Sequence, residues 1–287
     1  MLISVGEIID RSWHHYTKHF VELMSVASWL LLVAIINIVA TWLYPASSYG
    51  IAQVLSTSER LGVVLYSVTF LIVTPIISIW VFNTTTRLID REMQGKAISL
   101  REVSREGWHF FFARILVGFL VALSVVATSL LTVPGFFLSI LGNSIAPVLA
   151  IPGSILFILG LFGAVVIGTI LAIRLFFSAY QLLLEDKHGR QALRASWKLT
   201  QDRGWATFWR MVLPKVIFFF GIFTIQLFLV YLLKIFATNL AGLNFELGVR
   251  IYAIGSTTIF LVLYALVNPL IMSADYLLFR SLQEQEL

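Results

Sequence analysis

The chain has no cysteine, which excludes disulfides, thiolate metal sites and cysteine nucleophiles together. Charge is scarce too. Asp, Glu, Lys and Arg make up 12% of the 287 residues, against roughly 25% in soluble domains, and none occurs from Ile115 to Ile173. A stretch that long without charge cannot be the interior of a water-soluble domain. It exceeds one bilayer crossing, which takes about 20 apolar residues, and suits two. Also missing are a serine elbow, a phosphate-cradling glycine loop and a His-Glu-x-x-His helix, so the sequence names no reaction.

What is present is apolar: 59% hydrophobic residues and a mean hydropathy of +0.91. Backbone polar groups in lipid must be paired within helices or a closed barrel. The long runs lack the period-two alternation of barrel strands, so helices are expected. Charge-free windows predict six spans, at about 21–43, 61–86, 112–133, 152–178, 212–236 and 251–279, with Pro134-Gly135 and Pro152-Gly153 marking the turn region inside the double stretch. The connection from Phe136 to Ala150 is apolar, and is expected to rest in the outer interface or re-enter the membrane. The first run is followed by Trp42-Leu43-Tyr44-Pro45 rather than a small-x-small cleavage site, so it is expected to be kept as a span. Sixteen of the 20 Lys and Arg fall at one set of ends and loops, leaving Arg60, Lys234 and Arg250 on the other side and Arg174 within the fourth span. By the positive-inside rule both termini are cytoplasmic, and the protein belongs in a cytoplasmic (inner) membrane. The net charge of +5 and the pI of 9.6 then express topology, and no nucleic-acid partner follows from them.

The segments preceding the odd-numbered spans resemble one another. Ser4 leads to Trp13 and Tyr16, Ser99 to Trp108 and Phe111, and Ser196 to Trp205 and Phe208. The first two share Ser-x-x-Glu, at Ser4/Glu7 and Ser99/Glu102, the pattern of a reciprocal helix cap; Ser196 is placed inside a helix that begins near Gly189. Asp90, Glu185 and Glu284 close the units. Such segments read as interfacial amphipathic helices, rings at the interface and cations toward anionic lipid. The expected architecture is a single polytopic membrane domain, 1–287, made of three repeats of an amphipathic helix plus a transmembrane hairpin, over 1–95, 96–190 and 191–287.

The third segment carries Glu185-Asp186-Lys187-His188-Gly189, then Ala192-Leu193, Ser196, Leu199-Thr200 and Gly204-Trp205. Over roughly 112–210, with Pro134-Gly135, it resembles the membrane domain of some glycerophosphoryl diester phosphodiesterases and the related six-span bacterial inner-membrane proteins of the YciC-like type. These 287 residues include no phosphodiesterase domain, and residues 136–151 lengthen the outer connection. The resemblance therefore implies fold and location, not phosphodiester hydrolysis.

Several residues are candidates for a role. Arg174 is a charge within a span and needs a partner; Asp275, at a comparable depth in the sixth span, is the expected one, giving an intramembrane polar pair. Trp13, Lys18, Arg101, Arg105, Trp108, Arg194, Lys198, Trp205 and Arg210 form the lipid-facing segments. Gly160, Ala164, Gly168 and Ala172 recur every four residues, a surface for close helix packing on a neighbouring span or a second protomer. His15, His19 and Glu22 share a helical face, but with no thiolate and no further histidine nearby they read as an ordinary polar face; no metal or other cofactor is expected. Asn37, Asn83, Gln226 and Asn268 are placed for interhelical hydrogen bonds.

The chain is thus read as an all-α, multi-pass integral membrane protein without a catalytic cluster. The expected function is non-catalytic, in envelope or lipid homeostasis, by binding membrane lipids, a membrane protein partner or a second copy. The alternative is a transporter or permease subunit with a polar site around Arg174 and Asp275.

Overall fold

The computed structural model describes residues 3–43, 56–96 and 99–285, and every element among them is helical. In order these are α1 (Val5–Lys18), α2 (Phe20–Ala27), α3 (Trp29–Leu43), α4 (Thr57–Val68), α5 (Thr74–Met93), α6 (Leu100–His109), α7 (Phe111–Val126), α8 (Val133–Ser144), α9 (Ala150–Leu175), α10 (Ser178–Glu185), α11 (Gly189–Leu199), α12 (Gly204–Leu243) and α13 (Phe245–Gln283). Among the described residues, consecutive helices join into six stretches long and apolar enough to cross a membrane: Phe20–Leu43, Thr57–Met93, Phe111–Ser144, Pro147–Glu185, Gly204–Leu243 and Phe245–Gln283. The chain is a multi-pass membrane protein. Tyr44 and Pro45, which follow the expected first span, lie outside the described residues.

The helices overrun the lengths expected from hydropathy. The 40 residues of α12 extend about 60 Å at 1.5 Å per residue, twice a hydrocarbon core of about 30 Å. Charge-free windows locate the apolar part of a helix and say nothing of how far the helix continues. Prolines explain the local departures from α geometry. Pro75 opens α5 and follows a π-helical turn at Thr69–Val73, where the hydroxyl of Thr74 donates to the Thr69 carbonyl at 2.8 Å. Pro134 likewise follows a 3-10 stretch at Ala127–Thr132. In both cases the missing proline N–H removes one rung of the ladder and the preceding turn rearranges. The Pro-Gly pairs are not the turn itself. Pro134-Gly135 and Pro152-Gly153 lie in the first turns of α8 and α9, where proline is tolerated, and the chain reverses at Ile145-Ala146. The expected outer connection is therefore largely helical.

The helices gather into two compact units, Ile3–Phe111 with Arg210–Leu278 and Phe112–Trp209 with Phe279–Leu287. In the first, α2 and α3 pack on α5, and α6 lies along α5. Trp80 of α5 sits between Trp29 and Trp108, with ring centroids 5.5 and 6.0 Å away, and its indole N–H donates to the Ser104 carbonyl at 3.3 Å. In the second, α8 and α9 form an antiparallel pair and α11 packs on α10. Methyl groups built at Gly135, Gly142, Gly153 or Gly160 would overlap backbone atoms of Phe157, Ala150, Ser139 or Leu131. The backbones touch along this seam, where dispersion rather than the hydrophobic effect holds helices in lipid.

Candidate functional site: polar clusters at the helix ends

Besides the ion pairs of Arg87 and Arg91 with Glu102 and Glu106, which tie α5 to α6, polar side chains of the described residues gather in three places. The first lies where α1 meets the end of α5. Ile8, Ser12, His15 and Tyr16 form the buried face of α1; the spacing of four, three and one keeps them on one side of a helix. From that face His15 Nε2 comes within 3.0 Å of Glu92 Oε2, and His19 Nδ1, at the C-cap, within 3.9 Å of Glu92 Oε1. The Glu92 side chain is wholly buried, and neither oxygen makes a hydrogen bond of good geometry. Asp10, Arg11, His14, Lys18, Met93 and Leu277 complete a cavity of about 520 Å³ around the cluster. The imidazoles expected to share a face with Glu22 thus turn to Glu92. Among the described residues, no group of three or more His, Asp or Glu is arranged to hold a metal ion. Tyr16 donates to the Leu266 carbonyl at 3.0 Å, and its burial raises the phenol above its ordinary value.

The second place is the facing pair α12 and α13. Lys215 Nζ lies 2.9 Å from Asp275 Oδ1, and Tyr276 donates to Asp90 Oδ1 at 2.8 Å. Asp275 therefore has a different ion-pair partner from the Arg174 expected for it. A lysine carries its charge on a four-carbon stem, so Lys215, counted in the sequence as an interface cation, reaches the aspartate. Beside the pair is a cavity of about 510 Å³, almost entirely apolar, where Lys215 and Gln226 are the polar exceptions among residues such as Phe219, Phe223, Phe260 and Tyr264. Of the other intraspan amides, Asn83 donates to the Gly107 carbonyl of α6 at 3.1 Å, whereas Asn268 contacts Met272 Sδ in its own helix at 3.6 Å.

The third is the turn from α10 into α11. Asp186 ends α10 in the left-handed conformation, φ 53°, and the backbone N–H groups of Asp186 and Lys187 both reach the Gln181 carbonyl, which satisfies the last turn of the helix. Gly189 then starts α11 at φ 50°, a conformation that costs glycine little. Glu185 is held by Arg280 at 3.3 Å and Gln283 at 2.9 Å. One side of α11, Ala192, Ser196 and Leu199, is buried; Ser196 donates to the Arg174 carbonyl at 2.7 Å, and the Arg174 guanidinium lies 4.3 Å over the Trp197 ring, a cation–π contact. The opposite side presents Gln191, Arg194 and Lys198. With Gln181 and Lys187 they line a cavity of about 370 Å³ that has no carboxylate in its wall.

Trp13, Lys18, Arg101, Arg105, Trp108, Arg194, Lys198 and Trp205 are exposed. Arg210 is half-buried, and its guanidinium donates to the Ile3 carbonyl at 2.8 Å. Gly160 meets Leu131, the Ala164 carbonyl accepts from the Thr128 hydroxyl at 3.2 Å, and Gly168 faces Thr128; Ala172 is exposed. Sequence reasoning does not single out Glu92, Lys215 or the amides Gln181 and Gln191. The i, i+3, i+7 spacing of Gln191, Arg194 and Lys198 is visible in the sequence, but the partners of Glu92 and Lys215 lie far away along the chain and leave no local signal.

No curated protein and no solved structure matches the chain. Residues 148–286 match the family model of the membrane domain of glycerophosphoryl diester phosphodiesterase, so the resemblance reaches past 210 through α12 and α13, takes in the turn from α10 to α11, and leaves Pro134-Gly135 outside.

Proposed function

We propose that the protein is a non-catalytic, multi-pass component of the cytoplasmic membrane that binds anionic lipid through amphipathic helices at its cytoplasmic side, with both termini on that side, and so serves envelope or lipid homeostasis. One observation carries this reading. The short helices α1, α6 and α11, each just before a span, bury one face and expose cations or tryptophan on the other: Trp13 and Lys18, Arg101, Arg105 and Trp108, Arg194 and Lys198. Exposed tryptophan suits the headgroup layer, and each cation near an anionic surface is worth about 1 kcal/mol. The recurrence of helix and hairpin supports the threefold repeat as the origin of these surfaces.

The test is to extract the protein with its native bilayer in polymer nanodiscs and identify by mass spectrometry what travels with it. Enrichment of an anionic lipid class is expected. If the lipid were indistinguishable from bulk membrane, and a membrane protein partner or second copy came along in fixed ratio instead, lipid binding would give way to a scaffold role.

A transporter or permease subunit is the second reading, favoured by the Lys215–Asp275 pair beside the cavity between α12 and α13. Because the chain has no cysteine, single cysteines at Val216 or Phe223 report cleanly on water access. Labelling by a membrane-impermeant reagent would support a pathway; its absence at both would leave the lipid-binding reading.

A further inference from the structure

The cavity between α10 and α11 has a composition that selects its ligand. Its polar wall consists of three cations, Lys187, Arg194 and Lys198, and two amides, Gln181 and Gln191, with no carboxylate among its lining residues. Gln181 is 2% exposed, and its Oε1 accepts from Lys187 Nζ at 2.9 Å, so the lysine is held over the cavity while an ammonium retains two further N–H donors. Two features fix the shape. The capped turn at Asp186 and Lys187 sets the lysine against Gln181, and the i, i+3, i+7 spacing aligns Gln191, Arg194 and Lys198 along one face of α11, whose other face is buried. At about 370 Å³ the space is at the small end of ligand pockets.

We propose that this pocket binds a phosphate group, with the planar fork of Arg194 taking two phosphate oxygens, Lys187 and Lys198 supplying point charges, and the glutamine amides donating hydrogen bonds. The proposal deepens the lipid-binding reading and rests on it for the source favoured here, the phosphate of an anionic phospholipid headgroup. Free phosphate has the same chemistry and is the other source. Zwitterionic headgroups are disfavoured, because their ammonium group would enter a wall of cations. The remaining exposed cations of the short helices would attract a negative surface without discriminating among its lipids.

The full-length protein in nanodiscs of phosphatidylcholine and phosphatidylglycerol is compared with two double variants, Arg194→Gln/Lys198→Gln in the pocket and Arg101→Gln/Arg105→Gln outside it. Retained lipid is read by native mass spectrometry, and melting temperatures check the fold, which exposed substitutions leave in place. Wild type is expected to retain phosphatidylglycerol. The pocket variant should retain it more weakly by on the order of tenfold per cation removed, and the Arg101→Gln/Arg105→Gln variant, which removes only non-selective surface attraction, should lose less. Equal losses in the two variants, or none in the pocket variant, would overturn the pocket while the lipid-binding reading stands. If wild type retained no phosphatidylglycerol and bound no inorganic phosphate, both would fall. Titration of inorganic phosphate into detergent-purified protein separates the sources: heat that vanishes in the pocket variant, without phosphatidylglycerol retention, supports the pocket with free phosphate as its ligand.

Discussion

His15 Nε2 faces Glu92 Oε2 at 3.0 Å, with the two side chains 6% and 0% exposed. The two partners are not equivalent when removed. His15→Ala leaves the buried Glu92 carboxyl with the His19 imidazole 3.9 Å away, and removing one partner of a buried pair costs about 3–5 kcal/mol. Glu92→Gln keeps a polar group of the same size beside the imidazole, so the cost falls to about 1–3 kcal/mol for an imperfect hydrogen bond. Chemical unfolding in detergent should rank His15→Ala below Glu92→Gln. The opposite order would mean that the imidazole depends on Glu92 more than the carboxyl depends on His15.

Lys215 and Asp275 offer a test by double-mutant cycle. The pair at 2.9 Å predicts that Lys215→Met or Asp275→Leu alone destabilises the protein, and that the two together are less harmful than the single losses added, since well-packed apolar groups often replace a buried pair at little cost. A coupling energy of about 0.5–3 kcal/mol is expected. Strict additivity would remove the pair as an energetic unit.

The same pair shows where the sequence is legible and where it is not. Span number follows from charge-free windows, because a bilayer imposes a length and a polarity on every crossing. The start of α11 near Gly189 is readable from local chemistry. Partnerships are not: Lys215 and Asp275 lie on different helices, as do His15 and Glu92, and only the packing of those helices brings them together. Caps fall between. Ser4 accepts from the Glu7 N–H at 3.2 Å, while Ser99 makes no side-chain cap bond and the Glu102 side chain goes to Arg91 at 3.0 Å. The complete reciprocal cap occurs at Ser56 and Glu59, the same pattern at a position that sequence reasoning passes over.

Tyr16 gives a pH signature. Burial raises its phenol above the ordinary value of 10.0, so between that value and the folded one the native state holds a proton that the unfolded chain has lost. Stability linked to Tyr16 is then fully present below about pH 10 and is lost as pH rises through the folded value. Tyr16→Phe should lose the hydrogen bond to Leu266, at about 0.5–1.5 kcal/mol near neutrality, and show a shallower alkaline decline than wild type. Parallel alkaline profiles for the two would show that another group carries the titration.

Gly160 and Gly163 differ by three residues on α9 and should respond in opposite directions to the same change. A methyl group at Gly160 overlaps the carbonyl oxygen of Leu131, which is backbone and cannot rotate away, whereas one at Gly163 meets only Leu131 Cδ1 at 3.6 Å, an ordinary contact. Gly160→Ala must push the α9 backbone away from its neighbour along the seam, at about 1–3 kcal/mol by analogy with overpacked cores. Gly163→Ala keeps the seam and gains helix propensity, up to about 1 kcal/mol. Thermal unfolding followed by circular dichroism in detergent separates the two: a lower melting temperature for Gly160→Ala and an equal or higher one for Gly163→Ala. Equal destabilisation would mean that α9 is sensitive to any added bulk, and that the backbone contact with Leu131 is not what holds the pair together.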